Sequence, residues 1–364
     1  MTALVFAAML SLASAQTPDI PVPVLKAPTQ ATVAPTPEEM QTLRAGYALF
    51  QQQRFDDAIA KYREVLDANP KSAVAMHEIA LALLQKKDFA GTIDMLVRAT
   101  DFDTTELANI YGLIGTTFDA MGAPKKAIDV YEAGIALKPG AGTLYYNRAI
   151  TELQSLKDTE AGLKTLKRGA QADPTHASTQ LMLGQYYLSK GMKTPATLAL
   201  ARMLVLEPGS SRTVGAYRSW YGILNGAVKP SADGKGPAEI GVNPNQSKEE
   251  GDLMQLDLYV ALTQINAGAM PEGTPVPERL VNQVEMLVEL WTNKPPDDTT
   301  TFLWTYYMPY FKELREKKLV RPFVYYISQN VGMPGVREWV AAHGDDVQAF
   351  VAWNKQFRFS SSTR

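Results

Sequence analysis

The stretch APKKAIDVYEAGIALKP, residues 123–139, decides the fold once it is laid beside four others. RFDDAIAKYREVLDANP (54–70) and DFAGTIDMLVRATDFDT (88–104) precede it, and TEAGLKTLKRGAQADP (159–174) and TPATLALARMLVLEP (194–208) follow. Their closing residues, Pro70, Thr104, Pro139, Pro174 and Pro208, are spaced 34, 35, 35 and 34 residues apart. Each carries a small residue mid-way: Ala58, Thr92, Ala127, Gly162 and Ala196. A large one follows four later: Tyr62, Leu96, Tyr131, Leu166 and Leu200. That spacing puts small and large on one helix face. An earlier helix in each unit brings a small residue to the crossing, at Gly46, Ala80, Gly115 and Gly184, with Ile150 in the fourth unit. A single helix pair cannot bury its apolar face alone, so such units stack on their neighbours.

This pattern, over about residues 39–208, resembles the tetratricopeptide repeat family of 34-residue helix–turn–helix units. The resemblance implies an all-α superhelix of about five repeats, with a protein or peptide ligand in the concave groove lined by the first helix of each unit. Carried onto this sequence, the inner positions run from Met40, Leu43, Tyr47 and Phe50 in the first unit to Ser178, Leu181, Gln185 and Leu188 in the fifth. The groove is therefore expected to be apolar at one end and rich in amides and hydroxyls in the middle. Its candidate peptide-binding residues are Tyr47, His77, Asn109, Thr116, Asn147, Thr151 and Gln185. Asn and Gln both donate to and accept from a peptide backbone. The competing reading is that they solvate an exposed helix face. None of the inner positions is Lys or Arg, which argues against an acidic C-terminal peptide as ligand. The departures at Thr92, Thr104 and Ile150, and one extra residue near 157–159, are expected as local distortions.

Around this array the chain reads as a series of segments. Residues 3–13 (ALVFAAMLSLA) followed by Ala13-Ser14-Ala15 fit a signal peptide cut after Ala15, although no Lys or Arg precedes the apolar run. The mature protein is then expected to be periplasmic or secreted. Residues 16–37 are a Pro/Thr-rich linker, expected to be an extended tether because proline blocks helix and strand ladders. Residues 38–225 are expected to be the solenoid with a trailing helix, 226–249 a loop rich in breakers, and 250–364 a helical, aromatic-rich C-terminal domain. Within that domain Leu253, Leu256, Val260 and Ile265 approximate one face, and Leu280, Val284, Leu287, Val288 and Trp291 form an amphipathic stripe. Asp345 and Gln348 have capping-box spacing. VRPFVYYI (320–327) reads as helix in preference to strand. Six large rings crowd residues 302–311, among them Trp304, Tyr307 and Tyr310, which are interface candidates if they do not serve as core.

Composition limits the chemistry. In 364 residues there are 36 Lys and Arg, 38 Asp and Glu, three His and no Cys. Near-neutral charge argues against a nucleic-acid partner, which needs many cations. No run is long enough to span a bilayer. Thiolate metal sites and cysteine nucleophiles are excluded. His77-Glu78 has Leu81 where a second zinc histidine would stand, SADGKGP (231–237) lacks the P-loop spacing, and NPNQSKEEGD (243–252) puts Lys248 where a calcium loop needs glycine. No catalytic residue, metal or cofactor is expected. The expected function is an exported scaffold that docks a protein or peptide in the cell envelope. The alternatives are a glycan-binding module using the aromatic C-terminal region, or an enzyme with its site there.

Overall fold

The structure, a computed structural model, describes residues 19–229, 239–240, 250–293, 295 and 298–360. The expected signal peptide therefore lies outside the described residues, as does most of the 226–249 loop. Among the described residues the fold is all-α apart from two-residue strand pairs. Compact packing divides the chain into two units: residues 1–139 with 150–158, and residues 140–149 with 159–364. That division falls inside the fourth repeat and not at the 226–249 loop.

The first unit holds three helix pairs: α1 (Pro37–Gln51) with α2 (Phe55–Ala68), α3 (Ala73–Gln85) with α4 (Phe89–Ala99), and α5 (Leu107–Ala120) with α6 (Pro124–Leu137). Starts are written in the sequence. Thr36 and Glu39 form a reciprocal capping box on α1, Ser72 caps α3 and Asp88 caps α4. Turns between paired helices place Gln53, Lys87 and Gly122 at positive φ. In each, the next amide bonds back five residues: Arg54 to Leu49, Asp88 to Leu83, Ala123 to Phe118. The bond satisfies a carbonyl that the helix end leaves free. Leu43, Ala58, Ile59, Tyr62, Val65, Ala75, Ile79 and Ala82 form one contiguous core.

The segment expected to be a free tether is bound to this unit. The amides of Thr29 and Gln30 both donate to the Asp101 carbonyl, and Gln30–Ala31 pairs in parallel with Phe102–Asp103. Side chains reach the strap's carbonyls: Asn69 to Val33, Tyr111 to Lys26 and Lys126 to Ile20, at 3.2, 2.9 and 2.8 Å. Proline removes amide donors but leaves every carbonyl. A Pro-rich strap thus keeps its acceptors, and here it is held through both its carbonyls and the donors of Thr29, Gln30 and Thr32. The paired Phe102–Asp103 directly precede Thr104, the one closing position that is not proline.

The fourth repeat's first helix, α7 (Gly142–Ile150), runs into a π turn at Thr151–Ser155. The Leu156 amide bonds Thr151, and the Asp158 amide reaches six residues back to Glu152. The extra residue of this repeat is absorbed there, slightly upstream of the expected place, because i→i+5 bonding holds one more residue per turn.

The second unit continues with α8 (Thr159–Ala172), α9 (Ala177–Ser189), α10 (Lys193–Leu206) and α11 (Thr213–Asn225). Beyond them come α12 (Met254–Gly268), α13 (Val276–Asn293), a π turn at Leu303–Tyr307 leading into α14 (Met308–Glu316), α15 (Val320–Ser328), α16 (Val336–Ala342) and α17 (Gly344–Gln356). VRPFVYYI is helical. Asp345 lies inside the first turn of α17 and no side chain caps that helix, so the expected capping box is absent. Leu253, Leu256 and Val260 are buried as expected, but Ile265 is exposed.

The α14–α15 turn repeats the geometry of the tandem units. Lys318 has positive φ, and the Leu319 amide bonds Leu314 five residues back. Phe311 and Phe323 stand where the tandem units place small residues, and their rings meet edge to face 6.1 Å apart. The turn survives there, whereas the small-residue crossing does not.

Candidate functional site

In the first unit the inner stripe starts apolar and open. Met40 and Tyr47 on α1 are 38% and 50% exposed. On α3, His77 is partly exposed, its Nδ1 3.5 Å from Glu78 Oε1. Tyr62 reaches the other Glu78 oxygen at 3.5 Å, and burial together with that carboxylate pushes the Tyr62 hydroxyl far above its ordinary range. On α5, Asn109 is exposed and donates to Glu106 at 2.6 Å, a bond along its own helix.

Deeper along α5 the stripe becomes a linked polar cluster. The Thr116 hydroxyl donates to the Gly112 carbonyl at 2.9 Å and lies 3.2 Å from the Tyr131 hydroxyl. Tyr131 is buried, which raises its pKa well above normal. Thr151, in the π turn, is buried and donates to Asp119 Oδ2 at 2.9 Å. Asp119 Oδ1 is buried and has no hydrogen-bond partner among the described residues. The structure therefore brings Thr116 and Thr151 together through Tyr131 and Asp119, and ties both hydroxyls into the protein. As free clamps they are poorer than the sequence suggests. Tyr47, His77 and Asn109 are not part of this cluster. In the second unit, Asn147 is partly exposed on α7 and Gln185 is exposed on α9.

The aromatic candidates resolve differently. Tyr307 and Tyr310 are buried and are core, not interface. Tyr307 donates to Gln180 Oε1 at 2.7 Å, and Gln180 donates to the Tyr306 hydroxyl at 3.0 Å. Tyr306 in turn bonds the Ala170 carbonyl at 2.9 Å. Tyr310 bonds Asn354, and the Arg202 guanidinium lies 4.3 Å from the Tyr310 ring and 4.7 Å from Phe359, a cation close to two rings that stack on each other. Six rings in ten residues cover more than one helix face, and the rest of the unit packs over them. Phe302 and Trp304 stay partly exposed, and the Trp304 indole nitrogen is buried and unpartnered among the described residues.

Other features escaped the sequence reading. Glu250 is buried, accepts from Tyr187 at 2.8 Å and from the Leu303 amide at 2.8 Å, and pairs with Lys167 at 2.6 Å. Along α12, Met254, Leu258, Leu262 and Ile265 form an exposed apolar stripe. Of these four the sequence reading names only Ile265, which it groups with the buried face of Leu253, Leu256 and Val260. Among the described residues no group of three His, Cys, Asp or Glu is placed to hold a metal. No described helix is long and apolar enough to cross a membrane.

Residues 43–100 and 108–140 match two tetratricopeptide repeat family models. Those two stretches carry tetratricopeptide repeats. Among solved structures, a thermophilic tetratricopeptide repeat protein of Thermus thermophilus is 19% identical, spanning 50% of this chain and 99% of its own, with a TM-score of 0.40. Pseudomonas aeruginosa pilF is 15% identical, over 50% and 87%, with a TM-score of 0.36. MamA is 22% identical, over 44% and 94%, with a TM-score of 0.33. No curated protein matches the chain. Tetratricopeptide repeats are protein-interaction scaffolds, and this chain carries that scaffold.

Proposed function

We propose that the inner face of the tetratricopeptide repeats binds a segment of a partner protein, and that the protein does so after export, in the cell envelope. The observation that carries the first half is the row of first-helix positions in the first unit. It leaves Met40 and Tyr47 open, turns Asn109 outward and contains no Lys or Arg. Exposed apolar side chains and an exposed amide in one row of first helices suit a peptide that needs both burial and backbone pairing. The export half rests on the apolar run and Ala13-Ser14-Ala15 alone.

In-cell crosslinking of a tagged chain, followed by mass spectrometry, tests both halves. The control carries Asn109, Asn147 and Gln185 changed to Ala. Envelope proteins captured by the native chain and lost in the control support the reading. Captured proteins that are indifferent to the triple change remove the groove. Sequencing the N-terminus of the mature protein checks the cut after Ala15. The glycan reading depended on ring faces at 302–311, and burial of Tyr306, Tyr307, Tyr310 and Phe311 leaves it only Phe302 and Trp304, both partly exposed.

A further inference from the structure

We infer that the segment bound in the first unit is cationic, and that Asp119 receives its ammonium or guanidinium group; this deepens the groove reading and rests on it. Asp119 Oδ2 accepts from Thr151, while Oδ1 is buried and meets no donor among the described residues. Buried acceptors are almost always paired, and a carboxylate oxygen is the costliest to leave bare.

The position of the atom says where the donor comes from. Asn109, Gly112, Thr116 and Asp119 follow one another on a single face of α5, the stripe that lines the inner side. The neighbouring side chains cannot supply the donor: the Thr116 hydroxyl is turned to Gly112 and Tyr131, and Thr151 already serves Oδ2. Thr151 is held in place by the π turn, a distortion that recurs at functional sites. Charge selects the chemistry. The inner positions of this unit hold no Lys or Arg, and the next repeat inward carries Glu78 beside His77. A cation supplies a donor and the opposite charge together, which makes the stronger kind of hydrogen bond. The open Met40 and Tyr47 add a requirement for an apolar residue in the same segment.

The test is a random-peptide phage library panned on the full chain, the Asp119→Asn chain, the Tyr47→Ala chain and an Asp94→Asn control at an exposed site on α4. Expected is enrichment of Lys or Arg together with an aliphatic or aromatic residue. Synthesised winners should bind the Asp119→Asn chain roughly tenfold or more weakly, as loss of a charge-assisted bond implies. They should bind the Asp94→Asn chain as they bind the native one. Their binding to the native chain should also weaken with salt, a readout that needs no variant. Winners that require Tyr47 but show no basic preference or salt dependence overturn this inference and leave the groove standing. Winners indifferent to both sites, or no winners at all, overturn both readings.

Discussion

Gly115 and Tyr131 occupy each other's space: a Cβ on Gly115 would lie 2.3 Å from Tyr131 Cε1. Gly46 meets Tyr62 at 2.5 Å and Gly184 meets Leu200 Cγ at 2.7 Å in the same way. The pairing is the physical content of the small-and-large repeat. Gly115→Ala is expected to destabilise the chain by about 1–2 kcal/mol, because overpacking outweighs the better helix propensity of Ala. Gly215 on α11 has nothing within 4 Å of its would-be Cβ, so Gly215→Ala should stabilise by about 0.4–1 kcal/mol. Urea unfolding of the two variants reads opposite signs.

Asp257 on α12 caps a helix that is not its own. Its carboxylate accepts from the amide and hydroxyl of Thr194, both at 2.9 Å, and from the Lys193 amide at 3.3 Å. These groups lie at the start of α10, where amides lack intrahelical partners. Asp257→Ala should cost about 1–3 kcal/mol in unfolding experiments.

Gln180 holds two tyrosines at once. Tyr307→Phe leaves its Oε1 without the phenol donor and should cost about 1–3 kcal/mol. Gln180→Leu should cost at least as much and loosen α14, seen as faster amide exchange across 308–316. An unchanged melting temperature in both variants would refute this network's structural role.

His176 makes stability depend on pH. Burial lowers its pKa from 6.5, and its Nδ1 lies 2.8 Å from the Thr179 hydroxyl. The folded chain then binds fewer protons at this site than the unfolded one. This contribution is present above the unfolded pKa and is lost as pH falls through the folded one. The urea midpoint should therefore drop on acidification below about 6.5. His176→Gln should flatten that slope.

The N-terminal strap gives a yes-or-no experiment. Amides of Thr29 and Gln30 bonded to Asp101 should show hydrogen-exchange protection in the native chain. Exchange at the rate of an unstructured peptide would return this segment to a free tether. Tyr111→Phe, which removes the bond to the Lys26 carbonyl, should speed exchange at both amides.

The sequence by itself determined the repeat. Periodicity near 34 and small residues at the crossings follow from local spacing, because each unit contacts mainly itself and its neighbours. It also located the extra residue of the fourth unit to within a few positions, and the helices of the C-terminal region. Tertiary structure alone decided the rest, since each outcome depends on residues far apart in the chain. Tyr307 became core because Gln180 lies beneath it. The proline-rich strap was bound because Asn69, Tyr111 and Lys126 present donors to its carbonyls. Asp119 Oδ1 is without a donor among the described residues because the π turn sets Thr151 opposite only the other oxygen. Spacing reports which residues share a helix face, whereas hydrogen-bond satisfaction is a property of whatever the folded chain sets opposite that face.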